Sequence, residues 1–214
     1  MNKKLYFNIL DKNRTGLLPL FRSFKADFYL AGGTALALLL GHRDSFDFDF
    51  FCPNSFSTED LSQKIEQVFA GHIAVKTQEA KDTLTVIMDE WVKVSFFAYP
   101  YKLVRPLLIE DSFKIASLED IACMKLAAIT SRSLIKDYVD LYFILNNIAL
   151  EKLLTFVKEK YLTIDTNLIL KSLVYFEDVE QEPVLFKNNK DISFKLIKEY
   201  LAWTVKEYLT KINK

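Results

Sequence analysis

Two aspartates one residue apart, Asp47 and Asp49, lie in residues 45–51, where acidic and aromatic side chains alternate. Alternate residues of an extended chain share a face, about 6.6 Å apart along it. Two carboxylates placed this way can converge on a divalent cation. Magnesium, or manganese in its place, favours carboxylate oxygens together with nucleotide phosphates. Upstream stand Gly32, Gly33 and Thr34. Glycines let backbone approach an anion closely, and the start of a helix offers free N–H groups to it. Ser45 adds a hydroxyl and Arg43 a guanidinium beside the same stretch. A lone D-x-D is commonly a solvated polar face, and a lone glycine pair is equally unspecific. In this order, on consecutive elements, the two suit metal-assisted phosphoryl or nucleotidyl transfer.

A second group of charged residues lies downstream. Lys125, Ala128 and Arg132 fall on one face of an expected helix, and Asp137 and Asp140 share a face of the next. A lysine and an arginine on one face suit a triphosphate, the first as a mobile point charge and the second as a fork. Plain structural readings stand beside these. Lys136 and Asp140 are spaced for a surface i,i+4 pair, and Asp120 sits in a first helical turn where a carboxylate stabilises the helix end. Tyr99 and Tyr101 can stack on a base or simply anchor a loop. His42 and His72 are the only histidines, too few for a zinc site.

The elements that must position these groups follow from periodicity. A short helix is expected over 17–25, then a strand over 27–31 that ends at Gly32 and Gly33. Thr34 is the expected N-cap of a short apolar helix over 35–40, closed by Gly41. In 45–51 the phenylalanines Phe46, Phe48 and Phe50 should fill a core on the face opposite the aspartates. Ser57 caps a helix with a stripe of Leu61, Ile65, Val68 and Phe69. Strands are expected over 73–77, 83–88 and 92–98, with Asp89 and Glu90 as the turn between the last two. From Ser117 onward the pattern turns helical, over 117–129, 134–145, 150–161, 167–178 and 193–212.

Composition bounds the class. The chain has 214 residues, with 18 Phe and 10 Tyr but only 5 Gly and 5 Pro, so long disordered stretches are not expected. A formal net charge of zero argues against binding nucleic acid by bulk charge alone. Basic residues do gather at both ends and acidic ones near the aspartate pair, which either holds a polyanion near a metal or keeps the ends solvated. Cys52 and Cys123 have no disulfide or metal spacing. No apolar run of about 18 residues or signal segment is present, so no membrane span is expected and the cytoplasm is the expected compartment.

The segment GGTALALLLGHRDSFDFDFF closely resembles the motif region of the AbiEii/AbiGii toxin-like nucleotidyltransferases, within the DNA polymerase beta-like superfamily. A second block, FKIASLEDIACMKLAAITSRSLIKDYVDLYFIL, resembles the same family's downstream motifs. The resemblance implies an α+β fold: a nucleotidyltransferase-type mixed sheet with flanking helices, followed by a helical C-terminal half. The expected division is a core over 1–105 and a helical domain over 106–214 packing across the active-site cleft. By resemblance, Gly32, Gly33 and Thr34 hold phosphates, Asp47 and Asp49 are the metal carboxylates and Lys125 contacts nucleotide phosphate. Asp137 is the later acidic residue, Asp140 completes its D-x-x-D pattern, and Arg43 is a secondary phosphate or structural contact. The implied reaction moves a nucleoside monophosphate from an NTP to an acceptor hydroxyl, with a tRNA-like RNA as acceptor and an antitoxin as partner. The alternatives are a protein or small-molecule acceptor, or a non-catalytic binding protein on the same scaffold. One departure favours the last: Ser95 stands where many superfamily members carry a third carboxylate, which leaves Asp137 to take part of the general-base role.

Overall fold

The computed structural model describes residues 4–180 and 182–213. It divides into two units. The first runs to Lys102 and resumes over Pro106–Ser117; the second takes Leu103–Arg105 and the chain from Leu118 onward.

The first unit is a mixed seven-stranded sheet with helices. In chain order its elements are α1 (Lys12–Leu17), a 3-10 helix over Leu18–Phe24, β1 (Tyr29–Ala31), α2 (Gly32–Leu40), β2 (Phe48–Cys52), α3 (Thr58–Val68), β3 (Ala74–Ala80), β4 (Thr83–Met88), β5 (Val92–Ala98), β6 (Leu108–Ile109) and β7 (Lys114–Ile115). The strand order is β3-β4-β5-β2-β1-β7-β6. The β2–β5 and β1–β7 pairs are parallel and the rest antiparallel.

The core face of this sheet explains the phenylalanine content. Phe48 and Phe50 of β2 and Phe96 of β5 are buried with Phe21, Phe24 and Phe69. Phe21 lies 4.8 Å from both Phe48 and Phe50, and Phe50 stacks on Phe96 at 5.4 Å between ring centroids. Large rings at offset or edge-on geometry bury much area and add specific attraction. The α3 cap is as expected: Ser57 accepts a bond from the Asp60 N–H at 3.2 Å, with Leu61 and Ile65 buried beneath. Asp89 and Glu90 both adopt the left-handed backbone that a tight hairpin turn needs.

Four local expectations change. Thr34 is not an N-cap: α2 begins at Gly32 with Ala31 as its cap residue, so Thr34 is the third helical residue. The β2 strand starts at Phe48, which leaves Asp47 just before it and Phe46 out of the core, 44% exposed. The helix expected over 17–25 is tightened into 3-10 geometry around Pro19, with the α-helical turn lying earlier, in α1. The helix expected over 167–178 stops at Val174.

The second unit contains α4 (Leu118–Ala128), α5 (Ile135–Leu145), α6 (Leu150–Lys160), α7 (Thr166–Val174) and α8 (Phe194–Ile212). Asp165 caps α7 and Ser193 caps α8 through their side-chain oxygens. A buried ion pair joins α4 to α6, with Lys160 Nζ 2.8 Å from Asp120 Oδ1. Asp120 also accepts bonds from the backbone N–H groups of Val104 (3.0 Å) and Arg105 (3.1 Å). Among the described residues no helix is long and apolar enough to cross a membrane.

Both cysteines are buried and free. Burial pushes the Cys123 thiol up to about 12 and raises that of Cys52. Both are therefore expected to resist a disulfide reagent at about pH 8 in the folded protein and to react together on unfolding. Rapid native-state labelling of Cys123 would contradict this packing.

Candidate functional site

In the first unit the glycine turn and the acidic strand meet. Ala31 of β1 pairs with Asp49 of β2. Gly32 follows with φ +71°, and a Cβ there would lie 2.7 Å from Asp49 Oδ2. A Cβ on Gly33 would lie 3.0 Å from the Arg43 guanidinium and 3.1 Å from Ser45 Oγ. Gly32 is thus favoured by its left-handed backbone and by its close approach to Asp49, while at Gly33 a side chain would push the Arg43 and Ser45 side chains aside by a few tenths of an ångström. The start of α2 is thereby packed directly against the Asp49 carboxylate and the Arg43–Ser45 segment.

The loop between α2 and β2 is tied to the helix by hydroxyls. Thr34 Oγ1 donates to the Asp47 carbonyl and lies 2.9 Å from Ser45 Oγ. Arg43 is buried and donates to the Asp44 carbonyl at 2.8 Å. Asp47 is half-exposed, and Lys93 Nζ of β5 lies 3.1 Å from its Oδ2. Asp49 is in register with Ser95 on β5, and Ser95 with Thr85 on β4. The Ser95 and Thr85 hydroxyls are buried and 3.2 Å apart, so a pair of neutral hydroxyls fills the row beside Asp49.

Among the described residues no group of three or more His, Cys, Asp or Glu side chains gathers as a metal site. Asp49 lies against the start of α2 and Asp47 lies just before β2, so the pair offers two carboxylates for an oxygen donor set. Such a set fits magnesium, which is commonly bound through one or two carboxylates, keeps several waters and completes its shell with substrate phosphates.

The second unit gathers the downstream residues. Lys125 of α4 is buried, with Nζ 2.7 Å from Asp137 Oδ1 and 2.6 Å from Asp140 Oδ2 on α5. Arg132 Nε lies 2.8 Å from Asp137 Oδ2, and its Nη2 3.2 Å from Oδ1. Asp137 is thus held by both cations. Lys136 does not form the i,i+4 pair with Asp140; it pairs with Glu182, while Asp140 is turned inward to Lys125. Tyr99 and Tyr101 pack 4.7 Å apart in the first unit, and Tyr99 packs edge-on against Phe51. His72 bonds Asp89 at 2.6 Å, and this bond holds the Asp89 carboxyl below the usual range.

Sequence reasoning passed over Lys93 and Arg14. Lys93 alternates with Ser95 on β5 and was open to the parity argument used for the aspartates. Arg14 has no such signal: it precedes the motif by many residues, and only the fold carries it to Ser45.

The family described as "Nucleotidyl transferase AbiEii toxin, Type IV TA system" matches residues 20–211. The chain belongs to the AbiEii nucleotidyltransferase toxin family. The chain is also similar to an uncharacterised protein, aq_aa25, of Aquifex aeolicus (strain VF5). The two are 41% identical over 191 residues, 86% of this chain and 88% of the other. Two solved structures share the fold. JHP933 from Helicobacter pylori aligns with a TM-score of 0.61 at 17% identity, over 98% of this chain and 95% of that one. MenT4, a nucleotidyltransferase toxin from Mycobacterium tuberculosis H37Rv, aligns with a TM-score of 0.58 at 13% identity, over 90% and 82%.

Proposed function

We propose that this AbiEii-family chain is an active nucleotidyltransferase that moves a nucleoside monophosphate from an NTP to an acceptor hydroxyl on RNA. The observation that carries the reading is the packing of Gly32 against Asp49, which puts the anion-binding start of α2 beside a metal-type carboxylate. Asp47 and Asp49 would hold the magnesium or manganese ion. When bound, that ion neutralises phosphate charge and favours loss of pyrophosphate.

In this reading the backbone N–H groups at Gly32, Gly33 and Thr34 bind and orient the phosphates. Arg43 and Ser45 shape the wall behind them. Lys93 keeps the Asp47 carboxylate paired until the nucleotide and its metal arrive. Within the second unit, family resemblance favours Lys125 as a nucleotide-phosphate contact, and Asp137 and Asp140 fix its orientation, with Arg132 beside Asp137. The acceptor hydroxyl then bonds to the α-phosphorus as the α–β phosphoanhydride breaks, pyrophosphate leaves, and the hydroxyl proton passes to solvent. Family membership supports a tRNA-like acceptor, growth inhibition as the outcome, a cognate antitoxin as partner and the cytoplasm as the place of action.

The test is to incubate the purified protein and Mg²⁺ with each α-labelled NTP and total RNA. Label entering tRNA-sized RNA is the expected result. Label entering protein or a small molecule would replace the acceptor, and no transfer with no pyrophosphate release would leave only a binding role on this scaffold.

A further inference from the structure

The backbone of residues 45–47 is held at both ends, and one of the holds comes from outside the family-matched region. That region begins at residue 20, whereas Asp11 and Arg14 precede it. Arg14 lies on α1 and is only 5% exposed. Its Nη1 donates to the Ser45 carbonyl. Its Nη2 lies 2.6 Å from Asp11 Oδ2, and the other Asp11 oxygen accepts the Arg14 N–H at 2.9 Å. The guanidinium also sits 4.4 Å from the centroid of the Phe46 ring. On the other side, Thr34 donates to the Asp47 carbonyl.

These contacts make a fixed assembly from groups that would each be mobile alone. A buried guanidinium needs compensation, and Arg14 finds it in the Asp11 charge, the Ser45 carbonyl and the Phe46 ring face. Its planar fork fixes direction as well as distance. The carbonyls of residues 45 and 47 are each held by a different element, Arg14 of α1 and Thr34 of α2, so the peptide run that aims the Asp47 side chain has little freedom. This also accounts for Phe46 standing out of the core: its ring covers the guanidinium.

We propose that Arg14 is a positioning residue for the Asp47 carboxylate, and that Asp11 and Phe46 serve by holding Arg14 in place. The inference rests on Asp47 and Asp49 being the metal carboxylates. Side chains that orient metal ligands without touching the metal characteristically matter about tenfold to a hundredfold in affinity or activity. Arg14 acts through backbone, so the effect should appear in metal binding and in kcat more than in the KM for NTP.

Five proteins decide it: wild type, Arg14→Ala, Arg14→Lys, Asp11→Asn and, as the control for the site, Asp49→Asn. Mn²⁺ binding is followed by electron paramagnetic resonance, amide exchange by mass spectrometry over residues 41–48, and pyrophosphate release by steady-state kinetics. Arg14→Ala should weaken Mn²⁺ binding and lower kcat by about tenfold or more, with faster exchange in 41–48. Arg14→Lys should recover part of each, and Asp11→Asn should show a smaller loss of the same kind. If Arg14→Ala fails to fold, Asp11→Asn and Arg14→Lys carry the comparison, since Asp11 is largely exposed and lysine keeps the charge. Wild-type Mn²⁺ affinity and kcat in the folded variants would overturn the positioning role while Asp49→Asn still abolished binding. Equal Mn²⁺ binding by wild type and Asp49→Asn would instead overturn the metal-site reading, and this inference with it.

Discussion

Replacing Asp49 by Asn is expected to lower NTP turnover on the order of a thousandfold or more, while the protein stays folded. A metal bound to a transferring phosphate contributes several kcal/mol of charge stabilisation, and each 1.36 kcal/mol is about tenfold in rate. Asn has nearly the same shape as Asp but no negative charge. Asp49 sits between Ala31 and Ser95 in the sheet, with the Gly32 backbone against one oxygen. An amide can occupy that space, so the thermal midpoint should move little. Three readouts should agree: pyrophosphate release, transfer of label to RNA, and growth inhibition on expression. Growth inhibition persisting unchanged with Asp49→Asn would count decisively against an enzymatic origin of any toxicity.

The largest expected loss of stability lies in the second unit. Replacing Lys160 by Met should cost about 3–5 kcal/mol, the usual penalty for removing one partner of a buried ion pair. Both side chains are essentially inaccessible to water, at 0% for Lys160 and 1% for Asp120. Without the lysine, Asp120 keeps its two backbone donors but loses its countercharge. Adding Asp120→Asn to Lys160→Met removes the buried charge and should recover part of the loss. Equilibrium urea denaturation measures both. A change below about 1 kcal/mol for Lys160→Met would mean that the pair is better hydrated than its burial indicates.

Much of the first unit could be read from the sequence because its information is local. The bounds of β4 and β5 match the periodicity because polar and apolar residues alternate cleanly up to a sharp turn. Ser57 marked its helix because a cap is a short-range bond. The family motifs brought Lys125, Asp137 and Asp140 into view and helical spacing brought Arg132, and the packing of α4 on α5 gathers them in one cluster. What stayed hidden was set by long-range contacts or by elements too short for a period. The strands β6 and β7 have two residues each, so alternation says nothing of them. Asp120 looked like a first-turn charge, and only its pairing with a residue forty positions away makes it a core residue. Phe46 continued the aromatic alternation in sequence, but the strand had not begun and Arg14 claims its ring.

The brief excursion of Leu103–Arg105 into the second unit, before Pro106–Ser117 returns to the first, has a consequence for how this protein can be divided. A fragment ending at residue 105 would lose β7. It would leave the Leu30 edge of β1 bare where Ile115 pairs and the Ala116 N–H is bonded. A fragment starting at residue 118 would lose the Val104 and Arg105 amides that help satisfy Asp120. The sheet and the helical bundle are interleaved along the chain rather than joined end to end. No single cut yields either one whole, so a gene fusion or split-protein design would need to carry both, or reconnect Lys102 to Pro106 by a new loop.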